Sequence, residues 1–172
     1  LESWNINGPH NSACTAVRLL GFCMTFKLSK RSTDNLAGVK PTLASVVSRA
    51  IQLTTVDFVV IEGLRTTARQ QELVNSGASQ TMNSKHLTGD AVDLAAWLGT
   101  IRWEMPLYFK IAEAMQQAAK EQNVGMRWGG AWNVSDIRIW PDSMEQAHKE
   151  YIRLRLAASK KPFVDGPHFE LI

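Results

Sequence analysis

Cysteine is nearly absent: Cys14 and Cys23 are the only two in 172 residues, and both precede every motif described below. Two thiols cannot build a disulfide framework or a cysteine-based zinc knuckle, so stability has to come from an ordinary apolar core. Long apolar runs are missing as well. A membrane-spanning helix needs about 18 or more consecutive apolar residues, and no such stretch occurs, so no stable membrane association is expected. A strong excess of one charge is also lacking, with 19 Lys and Arg against 16 Asp and Glu, a net +3. Those residues are scattered and accompany no recognition motif, which reads as solubility charge and argues against nucleic acid as a partner. What remains is 45% hydrophobic and 20% charged, enough for one globular domain with a sizeable core and too little for two.

Residues 1–23 read as an N-terminal extension of unknown role, and a domain is expected over 24–172. The stretch 13–26 is apolar, but Arg18 interrupts it and no Lys or Arg precedes it, a poor match to a secretory signal. From Pro41, apolar residues at Leu43, Val46, Val47, Ala50 and Ile51 keep helical spacing, predicting a helix over 41–53. The β-branched and aromatic run 56–61 predicts a strand that delivers the chain to Arg65. Thr67 with Gln70 resembles a capping box and Gly77 a stop, which bracket a second helix. Alternation over 89–95 predicts a strand with Asp93 on one face and Val92 and Leu94 on the other. A helix over 106–122, a tryptophan-rich strand over 126–132, a helix opened by Ser143 with Gln146, and a closing turn and strand from Asp165 complete one α+β domain.

Chemistry concentrates around two of the four histidines. His86 stands in the loop entering the strand of Asp93, and His168 opens the last strand three residues after Asp165. Two imidazoles and one carboxylate form the three-ligand set of a catalytic zinc, with a fourth position left for water. A His and an Asp seven apart also arise as solvated loop residues, so spacing alone leaves both readings open. His148 reads as a solvated residue on the polar side of its helix, and His10 precedes the domain.

The longer strings are more specific. Ser84-x-His86-x-x-Gly89-x-Ala91-x-Asp93, followed far downstream by Asp165-x-x-His168-Phe169-Glu170, resembles the zinc peptidases that cut bacterial cell-wall peptides. These are the D-Ala-D-Ala carboxypeptidases and dipeptidases and the bacteriophage or prophage L-alanyl-D-glutamate endolysins, and the likeness to the endolysins is the nearer, covering 24–172. The resemblance implies a small α+β fold of the D-Ala-D-Ala peptidase and hedgehog-like kind, a central, mainly antiparallel sheet flanked by helices with zinc on its open face. It implies that His86, Asp93 and His168 bind Zn2+, that Asp165 is the catalytic carboxylate, and that Arg65 points into the cleft to meet the developing oxyanion or a substrate carboxylate. Ser84 and Gln70 match positions that bind substrate or support the site. Trp128-Gly129-Gly130-Ala131-Trp132 is similar to a stretch that often reads Trp-Gly-Gly-Asp-Trp in relatives and lines the cleft. Here Ala131 replaces the acid, which removes a polar contact while Trp128 and Trp132 remain candidates for touching substrate.

The function so implied is zinc-dependent hydrolysis of a bond in the peptidoglycan stem peptide, L-Ala-D-Glu above the others, causing cell-wall lysis. By analogy the enzyme is a monomer that waits in the host cytoplasm until a holin opens the membrane. Two alternatives stay open: a D-Ala-D-Ala carboxypeptidase or dipeptidase, and a cell-wall-binding module without catalysis.

Overall fold

The computed structural model describes residues 25–172. The expectations for residues 1–23, including Cys14, Cys23 and His10, and for a domain start at Met24 fall outside the described residues. The elements follow in the order α1 (Lys30–Asn35), α2 (Pro41–Leu53), β1 (Phe58–Glu62), α3 (Thr67–Asn75), β2 (Ala91–Trp97), β3 (Ile101–Arg102), α4 (Met105–Gln122), β4 (Met126–Trp128), α5 (Met144–Ala157) and β5 (His168–Leu171). The strands form one sheet in the order β1-β2-β5-β4, each neighbouring pair antiparallel. Ala96 of β2 pairs with Phe58 of β1 on one side and with Arg102 on the other, so β3 prolongs the β5 side of the sheet.

Period-two alternation divides the sheet into two faces. Val92 and Leu94, Phe169, Met126 and Trp128, and Phe58 and Val60 enter one core with helices α2 and α4. The five apolar residues of α2 predicted to turn inward are all buried, and those of α4 interleave with them. Asp93, His168, Glu170 and Arg127 alternate onto the other face, which no helix among the described residues covers in the way α2 and α4 cover the first. An irregularity in β1 brings in a further acid: Val60 pairs with Leu94 and Glu62 with Asp93, leaving Ile61 as an extra residue. Without that bulge Glu62 would share the core face of Phe58 and Val60; with it, Glu62 stands beside Asp93.

Several boundaries differ from the sequence expectation. The cap of α3 is Thr66, whose side chain accepts from the Arg69 amide, one residue ahead of the predicted Thr67. The tryptophan-rich strand stops at Trp128, because Gly129 and Gly130 turn the chain back against the Asp165 loop, Gly129 exchanging backbone hydrogen bonds with His168 and Asp165. Ser143 caps α5 as predicted, accepting from the Gln146 amide. His148 is not solvated: its Nδ1 lies 2.7 Å from the Gly130 carbonyl and its ring packs on Phe109. Helix α1, with too few apolar residues for a periodicity, was not anticipated.

Candidate metal centre and active site

A single cross-strand row sets the centre. Glu62 on β1, Asp93 on β2 and His168 on β5 are register partners, side by side on the open face. His86 reaches them from a one-turn 3-10 helix, Lys85–Thr88, just ahead of β2. The Ser84 side chain caps that turn by accepting from the His86 amide at 3.3 Å, and Gly89 ends it at φ +70°. A Cβ at Gly89 would meet the Gly38 carbonyl at 2.4 Å, so only glycine serves both the left-handed turn and the close approach.

The three candidate ligand atoms form a nearly equilateral triangle. His86 Nε2 lies 3.3 Å from His168 Nδ1 and 3.3 Å from Asp93 Oδ1, and His168 Nδ1 lies 3.2 Å from that oxygen. A tetrahedral ion with bonds of about 2.0–2.1 Å separates its ligands by about 3.3–3.4 Å. The residues present therefore fit one face of a tetrahedral metal site, and all three line the cleft. Each imidazole is oriented from behind. His86 Nδ1 donates to the Gly63 carbonyl at 2.8 Å, which turns Nε2 toward the triangle. His168 Nε2 donates to Glu170 Oε2 at 3.1 Å, and the other oxygen of Glu170 accepts from Arg127 at 3.1 Å. Such backing carboxylates and carbonyls fix ring and tautomer and raise ligand basicity.

The electrostatics suit a cation. Burial alone would raise the Asp93 carboxyl, but hydrogen bonds from His168 and His86 outweigh it and hold Asp93 far below the ordinary range. Burial would lower His168, yet its bonds to Asp93 and Glu170 prevail and push it up to about 9. Asp165 behaves differently: burial and repulsion from Asp93 raise its carboxyl, against the pull of His168, His86 and Arg65. A carboxyl raised above its ordinary value and lining the same cleft is suited to taking up and returning a proton.

The cleft has a volume of about 920 Å³ and its wall includes Arg65, Ser84, His86, Asp93, Trp132, Asp165 and His168. Arg65 is largely enclosed. Its guanidinium binds both oxygens of Glu62 and the side-chain oxygen of Gln70 at 2.7 Å, and approaches Asp93 Oδ2 at 3.5 Å. It thus steadies the oxygen of Asp93 that the triangle leaves free. Trp132 lies with its ring centre 5.5 Å from that of His168 and forms part of the wall.

Trp128 and Gln70 do not line the cleft, and Gln70 takes the supporting position rather than the substrate-binding one. Trp128 is fully buried against Phe169 and Phe109, and its Nε1 donates to the Gly166 carbonyl at 2.7 Å. Its alternation with Arg127 puts it on the core face of β4, where it pins the loop bearing Asp165 rather than meeting a ligand. Gln70 is fully buried too, bracing Arg65 and donating to Ser79 and Thr81 across the next loop.

Comparison with known proteins places this arrangement. The family described as phage L-alanyl-D-glutamate peptidase matches residues 24–172. The chain belongs to that family. It is 38% identical over 154 residues to the L-alanyl-D-glutamate peptidase of Escherichia phage T5, covering 87% of this chain and all of the relative. It is 37% identical to the enzyme of the same name from Listeria phage A118, over 79 residues that make up 45% of this chain and 27% of that one. The crystal structure of the Serratia marcescens L-Ala D-Glu endopeptidase ChiX superposes with a TM-score of 0.65 at 37% identity, covering 87% of this chain and 92% of the other.

Within this peptidase, sequence reasoning missed several residues that shape the site. Glu170 had a usable signal, since His168-x-Glu170 on a strand puts both side chains on one face. Glu62 depends on a bulge that no local pattern announces. Trp103 and Phe163, both on the cleft wall, come from loops where an aromatic residue has no periodicity to betray its direction.

Proposed function

We propose that this peptidase hydrolyses the L-Ala-D-Glu amide bond of peptidoglycan stem peptides with zinc held by His86, Asp93 and His168. The observation that carries the reading is the triangle of candidate ligand atoms, sized for a tetrahedral ion and lining the cleft together with the raised carboxyl of Asp165. When bound there, zinc supplies a water of pKa about 7 and polarises the carbonyl to be attacked. Asp165 accepts the proton of the attacking water and returns it to the departing amine of D-Glu. Arg65, anchored by Glu62 and Gln70, keeps Asp93 aligned and presents positive charge where the oxyanion develops. Trp132 and Phe163, whose ring centres lie 6.4 Å apart, form an apolar wall that positions the peptide and displaces water.

Zinc is favoured over harder divalent ions because two imidazoles and one carboxylate in a tetrahedral frame suit it, whereas magnesium and calcium take six or more oxygens. In a phage setting the activity fits release of progeny by wall lysis after a holin opens the membrane.

The experiment is metal removal and return. Protein dialysed against a strong chelator should be inactive on purified sacculi, and about one equivalent of zinc should restore lysis. Activity unaffected by complete metal removal would overturn the assignment of the triangle.

A further inference from the structure

Glutamate is a dicarboxylic acid, so a D-glutamyl residue within a peptide leaves one carboxyl outside the chain. When the peptide continues through the γ-carbonyl, the free α-carboxyl lies two bonds from the scissile nitrogen. This inference rests on the L-Ala-D-Glu reading above, and it asks which end of the cleft receives that group.

Register orders the cleft along β2. Ala91 pairs with Glu170, Asp93 with His168, and Ala96 with Arg102. At about 3.3 Å per residue, the metal triangle stands about 7 Å from the Ala91 end and about 10 Å from the Ala96 end. The two ends differ in chemistry. Just past Arg102, the cleft is bounded by Trp103, 58% exposed and uncharged. Near the Ala91 end, a side pocket of about 350 Å³ opens off the cleft, sharing Lys85, Trp132 and Glu170 with it and adding Arg127.

Among the side chains of that pocket two are cationic, Lys85 and Arg127, and one is anionic, Glu170, with the chain-terminal Ile172 also on its wall. Glu170 is committed to His168 and Arg127, while Arg127 also lies over the Trp132 ring at 5.1 Å. Lys85 acts electrostatically on Asp90 and Glu170, but Asp90 already pairs with Lys40 at 2.7 Å and Glu170 with Arg127. Among the described residues, no side-chain carboxylate forms an ion pair with Lys85. Its backbone belongs to the same capped turn as the ligand His86, so a flexible ammonium is mounted on a rigid base next to the reacting centre.

We propose that Lys85, with Arg127 behind it, binds the free carboxylate of the D-glutamyl residue in this side pocket. The contact fixes the direction of the substrate: D-Glu lies toward the Ala91 end of β2, and the L-alanyl group, with whatever it is attached to, lies toward Trp103. An amide at the same carbon is isosteric but neutral, and it forfeits the charge-assisted hydrogen bond.

The test uses two synthetic peptides containing L-Ala-γ-D-Glu, one with the free α-carboxylate and one with the α-carboxamide, and the zinc-loaded protein. The parent is expected to cleave the acid about tenfold better by kcat/KM, with the difference in KM. Lys85→Met brings the ratio near one, and Lys85→Arg restores most of it. Calorimetry on zinc-loaded Asp165→Asn gives a readout without turnover: the acid binds more tightly than the amide, and adding Lys85→Met removes the difference. Equal cleavage of both peptides by the parent, or a preference that survives Lys85→Met, overturns the pocket assignment and leaves the peptidase reading standing. Failure to cleave either peptide, or sacculi, overturns both.

Discussion

Glu170 Oε2 accepts from His168 Nε2 at 3.1 Å, from a residue two positions along the same strand. A ligand and its orienting carboxylate are thereby placed by strand geometry alone, and Arg127 holds the far oxygen of the carboxylate. Glu170→Gln keeps the shape and weakens the charge behind the imidazole. Zinc affinity, measured by competition with a chromophoric chelator, should fall by about 10–100-fold with the fold intact. Unchanged affinity would mean that Glu170 does not tune the ligand.

The metal-free and metal-loaded proteins should respond oppositely to pH. His168 is raised to about 9 in the metal-free protein, so its contribution to stability is full below the unfolded value near 6.5 and is lost as pH rises through about 9. Asp93 is shifted down, so its contribution is present above the unfolded value and lost as pH falls. The metal-free melting temperature should therefore decline from about pH 6.5 to 9. Binding of zinc requires His168 to shed its proton, so affinity should climb about tenfold per pH unit between about pH 6 and 8. Isothermal titration in buffers of different ionisation enthalpy would count the proton released.

Asp165→Asn removes the proton carrier without touching a ligand. The variant should bind zinc normally while kcat falls by about 10²–10⁴. Zinc content and rate measured on the same sample decide it: full activity with zinc bound would exclude the role given to Asp165.

The two tryptophans of the 128–132 stretch should separate cleanly. Trp128→Ala empties the core beneath the Asp165 loop and should cost about 3–5 kcal/mol in denaturant unfolding. Trp132→Ala should cost less stability than Trp128→Ala, because its ring is only half-buried at the edge of the core, and should raise KM, because that ring lines the cleft. A reversal of these two profiles would contradict the placement of the strand end at Trp128.

Much of this is legible in the sequence. Helices α2, α4 and α5 announced themselves through 3.6-residue periodicity or a Ser143 cap, and the alternation around Asp93 gave the face it occupies. The candidate cluster of His86, Asp93 and His168 is legible as a string rather than as a spacing, since His86 and Asp93 lie far from His168 in sequence and meet only through the pairing of β2 with β5. What stayed hidden depends on tertiary relations. The direction of Trp128 is decided by where β4 ends, and that end by the close approach of Gly129 to the Asp165 loop. The burial of Gln70 follows from the partner it finds in Arg65, and Glu62 joins the site through one extra residue in β1.

The most direct measurement is the chemical identity of the ends created in a wall digest. Purified Gram-negative peptidoglycan is incubated with the zinc-loaded protein, and the new amino and carboxyl termini are labelled and read by mass spectrometry. New D-Glu amino termini that vanish with chelator are the predicted result. Release of free D-Ala would point to a carboxypeptidase instead, and zinc-loaded protein that creates no new termini would contradict the account outright.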